Sequence, residues 1–244
     1  MTQAITLPAA RLFWQIKAAI VACLITIAGP ASAQFTDIGG GFVSAGVHGA
    51  IMNGITDNAQ SGATAAPAAA PRDALVFSPS MERRRQNYIN FIQKSRRVDP
   101  AGAAQLESDL SRTDILAFAD GPLRDLGYDP NNVADAYAAW LLTAWLGAQG
   151  RSDTPSMRSM NAVRDQVAEV FVTLPQVTSA NDSVKQETAE AYYLQALMVS
   201  ATVDAARSDP AYLEQVKAAV RQGAIASGVN LDMFTLTKNG LVLR

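Results

Sequence analysis

One carboxylate stands inside an almost entirely apolar stretch of the chain. Asp135 is the single charged residue between Val133 and Ala148. An unpaired charge in apolar surroundings is strongly destabilising, so a buried carboxylate has to be paired or hydrogen-bonded. We predict that Asp135 is ionised, partly buried and paired with an arginine, either from the run Arg83–Arg85 or Arg164. A catalytic carboxylate is the alternative, but the sequence assigns it no partner acid or base.

The segment "KQETAE", residues 185–190, supplies two more polar side chains. Gln186 and Glu190 are four residues apart and therefore share one face of a helix. The candidate buried polar cluster joins them to the first carboxylate and to two arginines: Asp135, Gln186, Glu190, Arg84 and Arg164. Such a cluster either fixes the pairing of helices or lines a ligand cleft between them. We expect the structural role, because buried polar groups more often serve structure.

Other catalytic chemistries find little support in the sequence. Cys23 is the one cysteine, and a chain cleaved after Ala33 would have no thiol for catalysis, disulfides or zinc. His48, the one histidine, lies in a glycine-rich segment that cannot position a base or metal ligand. That segment, "GGGFVSAGVHG", also lacks the lysine of a phosphate-binding loop. We predict no catalytic residue, metal or cofactor, and the sequence disfavours an enzyme without deciding the question.

Residues 1–33 have the pattern of a secretory signal peptide. Arg11 and Lys17 form the positive region, and the apolar stretch runs from Ala18 to Gly29. Small residues at Ala31 and Ala33 suit a signal peptidase. We predict an exported protein, periplasmic or secreted, that begins at Gln34 and keeps no stable membrane span after cleavage. The alternative is a lipoprotein anchored at Cys23.

The next segment, residues 34–76, is rich in glycine, alanine and proline. Low-complexity composition of this kind predicts a disordered leader and linker. Several apolar residues lie among its glycines, including Ile51 and Met52, so a segment that associates with other copies is the alternative. The folded domain is expected to span residues 77–244, since Ser78 and Pro79 give a strong helix start.

The domain is expected to be all-α. Capping residues and apolar periodicity predict six or seven helices, and the Asn239-Gly240 turn indicates a short C-terminal extended segment or hairpin. Gly121-Pro122 is expected to break or kink one of the helices. The stretch at about 132–149 is apolar nearly all round and too short to span a bilayer, so we predict that it is the central, buried helix.

The charge balance argues against nucleic acid as a partner. The 20 basic side chains include Arg11 and Lys17, and the first 33 residues contain none of the 22 acidic ones. The remainder therefore has four more acids than bases, and no basic excess to hold a phosphate backbone. The sequence does not fix the oligomeric state.

Four segments resemble an uncharacterised family of secreted, helical bacterial proteins, known as a domain of unknown function. They are "FSPS" before the arginine-rich helix, "NNVADAYAAW", "KQETAE" and "NLDMFTLTKNG", spread over residues 77–240. Members of that family typically end in Leu-Thr-x-x-Gly followed by an aromatic residue. Here Leu236 to Gly240 fits, but Leu241 replaces the aromatic. The resemblance implies a helical fold and export, and it implies no activity.

Three functions remain open. The first, which we favour, is a non-catalytic periplasmic or secreted protein that binds another protein or an envelope component. The second is a small-molecule binder with a polar cleft between helices. The third and least favoured is a hydrolase that uses paired carboxylates.

Overall fold

The computed structural model describes residues 49, 51–56 and 71–244 of the chain. Within these ranges the protein forms nine α-helices and one two-stranded hairpin. The helices are α1 (residues 51–56), α2 (Met81–Val98), α3 (Pro100–Arg112), α4 (Ile115–Asp125), α5 (Val133–Ala148), α6 (Met157–Phe171), α7 (Pro175–Thr178), α8 (Asp182–Ala206) and α9 (Pro210–Ala226). The strands are β1 (Phe234–Thr237) and β2 (Gly240–Leu243), and short 3-10 turns span Arg72–Leu75 and Leu231–Met233. The predicted all-α domain with a C-terminal hairpin is confirmed.

Side chains that accept backbone hydrogen bonds start most of the long helices. Ser80 accepts from the N–H of Arg83 at the start of α2, and Asn132 accepts from two N–H groups at the start of α5. These caps satisfy donors that have no partner within a helix. Gly121-Pro122 was expected to break or kink a helix, and the break is wrong, because α4 continues through Pro122 to Asp125. Pro122 lies near the end of α4, where its fixed φ is helical and only one backbone donor is lost.

The central helix is α5, as the sequence predicts. Fifteen of its 16 residues are buried, and Thr143 is partly buried. Helices α6, α8 and α9 pack around it. Tyr137 lies at the middle of an aromatic cluster, with ring centroids 5.1 to 5.3 Å from those of Trp140, Phe171 and Tyr192. Rings at these separations and tilts attract each other in addition to burying area.

Gly147 allows α5 and α8 to approach closely. A Cβ atom added at Gly147 would lie 2.7 Å from Val199 Cγ1 on α8. Side-chain atoms do not approach this closely, so a larger residue would force the two helices apart. The close approach packs together the two helices with the most buried residues, 15 in each.

The helix α1 belongs to the hydrophobic core. Ile51 and Ile55 are almost fully buried, and a Cβ atom added at Gly54 would lie 2.5 Å from Val170 on α6. The 3-10 turn that contains the buried Leu75 also precedes residue 77. For the described residues of segment 34–76, the prediction of a disordered leader is therefore corrected. Composition missed this because a few apolar side chains packed on α6 and its neighbours outweigh the local cost of glycine.

We expect the substitution Ile55→Ala to lower the free energy of unfolding by about 2 kcal/mol, because it leaves a cavity under α1. Asn53→Ala changes an exposed position of the same helix and should have little effect. Chemical denaturation of the two variants measures both values. Equal stability of the two proteins would show that α1 contributes nothing to the core.

The C-terminal hairpin is held to the helices at both of its edges. β1 and β2 are antiparallel, with Leu236 opposite Leu241. The Gln166 side chain of α6 pairs with the backbone of Leu241, donating to its carbonyl at 2.9 Å and accepting from its N–H at 3.0 Å. On the other strand, the Trp145 indole N–H donates to the carbonyl of Phe234 at 3.1 Å. Side chains therefore satisfy backbone groups that an isolated two-stranded hairpin leaves open.

The predicted signal peptide, residues 1–33, lies outside the described residues. Export and the lipoprotein alternative at Cys23 therefore stay predictions. None of the described helices is both long and apolar enough to cross a lipid bilayer.

Candidate functional site

The first polar group of the site centres on Glu190 of α8. Arg84 of α2 donates from Nε to Glu190 Oε1 at 2.9 Å, and Asn87 donates to Oε2 at 2.7 Å. Gln186 donates to Oε1 at 2.8 Å from one turn earlier on α8. Arg84, Asn87, Gln186 and Glu190 are all buried. Burial lowers the pKa of Arg84, but its hydrogen bond and charge interaction with Glu190 outweigh this and leave the pKa raised.

Gln186 also binds the start of α2. Its amide donates to the carbonyl of Ser80 at 2.8 Å and accepts from the N–H of Ser80 at 3.0 Å. The same amide oxygen accepts from Arg83 Nε at 2.9 Å. A single side-chain amide thus pairs with both backbone groups of the residue that caps α2. These bonds fix the position of α2 along the axis of α8. Setting how two helices pair is the structural role expected for a buried network.

Asp114 extends this first group to α4. It caps α4 by accepting from the N–H of Ala117 at 3.0 Å, and it accepts from the Tyr88 hydroxyl at 2.6 Å. Arg84 lies 3.5 Å away from its other oxygen. Burial works to raise the pKa of Asp114, but these hydrogen bonds and the arginine charge leave it lowered. The carboxylate of Asp114 is therefore held in its charged form.

The second polar group centres on Asp135, near the start of α5. Its Oδ2 accepts from the N–H of Asp129 at 2.7 Å, and its Oδ1 lies 3.2 Å from Arg164 Nε of α6. Arg164 also lies over the ring of Tyr128, 5.7 Å from the centroid. Burial raises the pKa of Asp135, and the hydrogen bond from Asp129 and the charge of Arg164 offset this only in part. Of the two arginine partners that the sequence offered for Asp135, the structure has Arg164 and not the run Arg83–Arg85.

The structure divides the candidate cluster into two groups. Arg84, Gln186 and Glu190 belong to the first, and Asp135 and Arg164 belong to the second. Among the described residues, no hydrogen bond or ion pair joins the two. The sequence could not separate them because it gives helical faces but not the angles at which helices pack.

A pocket opens beside the second group, between α4, α5, α8 and the loop that follows α5. Its cavity volume is about 70 Å³. Apolar side chains form most of its wall, among them Leu123, Leu142, Leu146, Met160 and Leu197. That volume has room for on the order of five water molecules, or for a ligand of roughly five to eight non-hydrogen atoms. A concave, largely apolar pocket with a polar mouth is the usual form of a small-molecule site.

No described group of histidine, cysteine, aspartate or glutamate side chains is arranged to hold a metal ion. The carboxylates of both polar groups are engaged by arginines and by amide or backbone donors. These contacts join α2 to α8 and α5 to α6.

The comparison with family models decides the family. The model of a family of unknown function, DUF6683, matches residues 50–244. The chain belongs to this family. No curated protein and no solved structure matches it.

The DUF6683 match begins at residue 50, next to α1. The domain therefore includes the helix that packs against α6, and its boundary lies before the predicted residue 77. The expected resemblance to a domain of unknown function is confirmed, and the secreted and bacterial character that it implied stays a prediction.

The pocket of the DUF6683 domain does not lie at the polar cluster, where the sequence suggested a cleft, and its apolar lining was not predicted. Ala139 and Ala196 leave space between α5 and α8, and the loop residues Ser152 to Pro155 form part of its mouth. The alanines on one side of α5 were the feature of the sequence that could have indicated the pocket. Such residues permit close packing of a neighbouring helix, or they leave a cavity where no neighbour fills the space. Sequence alone cannot distinguish these two outcomes.

Proposed function

We propose that the protein is a non-catalytic binder of a small, largely apolar molecule, which occupies the pocket between α4, α5 and α8. The observation that carries the proposal is the cavity itself: about 70 Å³ of space next to a tightly packed central helix. Natural cores contain few voids larger than a water molecule. A space of this size with apolar walls and an open polar mouth is suited to a ligand.

The other two functions have weaker support in the geometry. Hydrolysis by paired carboxylates would require Asp135 and Glu190 to face a common site, but they lie in separate groups. The expectation of a protein or envelope partner rested on the lack of catalytic motifs. Large exposed apolar side chains, such as Phe118 and Ile225, do occur in the described part of the chain. Scattered exposure of this kind is normal for a protein surface, so that expectation stays a prediction.

A pocket-filling substitution tests the proposal. Toluene and benzyl alcohol serve as small apolar probes, and NMR titration follows the methyl groups of Leu142, Leu197 and Met160. We expect saturable shifts at these methyl groups and a rise in Tm with probe concentration, because a ligand that binds the native state stabilises it. Ala196→Met places a flexible side chain into the pocket and should weaken binding of both probes at least 10-fold.

The matched control is Ala205→Met, an exposed position on the same helix. It should leave probe affinity unchanged. If neither probe shifts the pocket methyl groups, or if Ala196→Met and Ala205→Met behave alike, the pocket is not a binding site.

A further inference from the structure

Six of the side chains that line the pocket carry a hydroxyl group, and two of them, Ser152 and Tyr193, donate it to Asp204 and to the carbonyl of Asp129. The other four interrupt its apolar wall. Tyr128, Thr143, Thr154 and Ser200 all line it. Within the described part of the chain, none of these four hydroxyls makes a hydrogen bond. They come from α5, α8 and the loops before and after α5, so the fold brings them together from separate parts of the sequence. A hydroxyl that opens into a cavity is available to a ligand as donor and as acceptor.

The chain offers an internal comparison for the two helical hydroxyls. Serine and threonine in helices commonly donate to the carbonyl four residues earlier. Ser95, Thr202 and Ser227 do so in this protein, at 2.9, 2.9 and 3.1 Å. Thr143 and Ser200 do not, although Ser200 lies only two residues before Thr202 on α8. The hydroxyls of Thr143 and Ser200 thus remain open beside the pocket, whereas three comparable hydroxyls are used by their own helix; Thr188, away from the pocket on α8, is also open.

Tyr128 is held in place as a neutral donor. Its ring is buried and lies under the guanidinium of Arg164, which is fixed in turn by Asp135. A tyrosine hydroxyl keeps its proton at neutral pH, and burial raises the pKa of Tyr128 further above its ordinary value. The second polar group thereby acts as a support for one wall of the pocket.

The charged residues at the mouth of the pocket neutralise each other. Arg151 donates to both oxygens of Asp153, at 2.8 and 2.7 Å, and its guanidinium lies 5.9 Å from the Trp145 ring. The hydrogen bond from Arg151, and then its charge, lower the pKa of Asp153 in spite of partial burial. These two are the only charged residues among those that line the pocket. A charged ligand would have to break this pair or enter without a counter-charge.

We infer that the ligand is an uncharged amphiphile: a compact apolar body that carries a neutral hydrogen-bonding group such as a hydroxyl or carbonyl. The apolar side chains take up the body, and the hydroxyls of Thr143, Ser200 and Tyr128 bind the polar group. This inference rests on the proposed function and specifies its ligand class.

The test compares three probes of similar shape and different polarity: toluene, benzyl alcohol and benzoate. The variants are Thr143→Val and Ser200→Ala, which remove hydroxyls with little change in volume, and Ser183→Ala is the control at an exposed position of α8. We expect each pocket variant to weaken benzyl alcohol about 3- to 10-fold, the worth of one neutral hydrogen bond. Toluene affinity should stay the same or increase, and benzoate should bind at least 10-fold more weakly than benzyl alcohol.

Two results would overturn the inference while leaving the proposed function intact: toluene and benzyl alcohol lose affinity equally in the variants, or benzoate binds more tightly than benzyl alcohol. Absence of all binding would overturn the proposed function itself. Methyl shifts in the NMR titration distinguish binding in the pocket from binding elsewhere, and Tm values confirm that each variant is folded.

Discussion

Glu190→Ala is expected to destabilise the protein by about 3 to 5 kcal/mol, because it leaves Arg84 buried without its main counter-charge. The substitution also removes the acceptor of Asn87 and one acceptor of Gln186. Buried donors that lose their partner carry the full cost of desolvation. Urea denaturation monitored by circular dichroism measures the change at neutral pH.

Glu187→Ala is the control for this result. Glu187 lies one turn before Glu190 on α8, but its side chain is 39% exposed, and its oxygen lies 3.5 Å from Nζ of its partner Lys94. An exposed pair of this kind contributes at most about 1 kcal/mol. If the two alanine variants lose the same amount of stability, the network around Glu190 is not the link between α2 and α8.

Asp135→Ala is the second large effect, with an expected loss of about 3 kcal/mol. The carboxylate holds the backbone N–H of Asp129 at 2.7 Å and orients Arg164, so its removal leaves a backbone donor and a guanidinium without their acceptor. Asp135→Asn keeps the shape and an acceptor, and should cost less. Asp165→Ala, which removes an exposed carboxylate next to Arg164 in the sequence, is the control and should stay near wild type.

The pH dependence of these variants has a definite sign. Because burial raises the pKa of Asp135 in the folded state, the folded protein binds this proton more tightly than the unfolded chain does. Protonation of Asp135 therefore adds to the free energy of unfolding. This contribution is complete below the pKa of Asp135 in the unfolded chain, and it is lost as pH rises through its higher pKa in the folded protein. The advantage of wild type over Asp135→Asn should therefore be larger in mild acid than at neutral pH. A gap that narrows in acid would contradict the raised pKa.

Much of the architecture was predictable because it follows from local patterns. The run from Val133 to Ala148 is apolar on all sides, and a helix of that kind has to be buried whatever surrounds it. Asn239-Gly240 predicted the hairpin turn, and Gly240 has the positive φ of 97° that favours glycine. Asn132 caps the central helix, and tertiary packing did not override that start. The start of α2 was predicted two residues too early, since Ser80 and not Ser78 is its cap.

The unpredicted features depend on contacts between distant segments. Ile51 and Ile55 stand in a glycine-rich context, and only the surface of α6 and its neighbours gives them a place to be buried. Gln186 was assigned to the right group of polar residues, but its pairing with the backbone of Ser80 joins positions 106 residues apart. The pocket is a space where side chains do not meet, and no local pattern in a sequence encodes such a space.

The pairing of Arg84 with Glu190 has a consequence for synthesis of the chain. The two residues are 106 positions apart, so a ribosome working at about 5 to 20 residues per second makes Glu190 roughly 5 to 20 s after Arg84. Throughout that interval the arginine of α2 has no carboxylate of α8 to bind and stays hydrated. A nascent chain that stops before α8 cannot bury that face of α2, and its exposed core residues mark it as unfinished to chaperones and proteases.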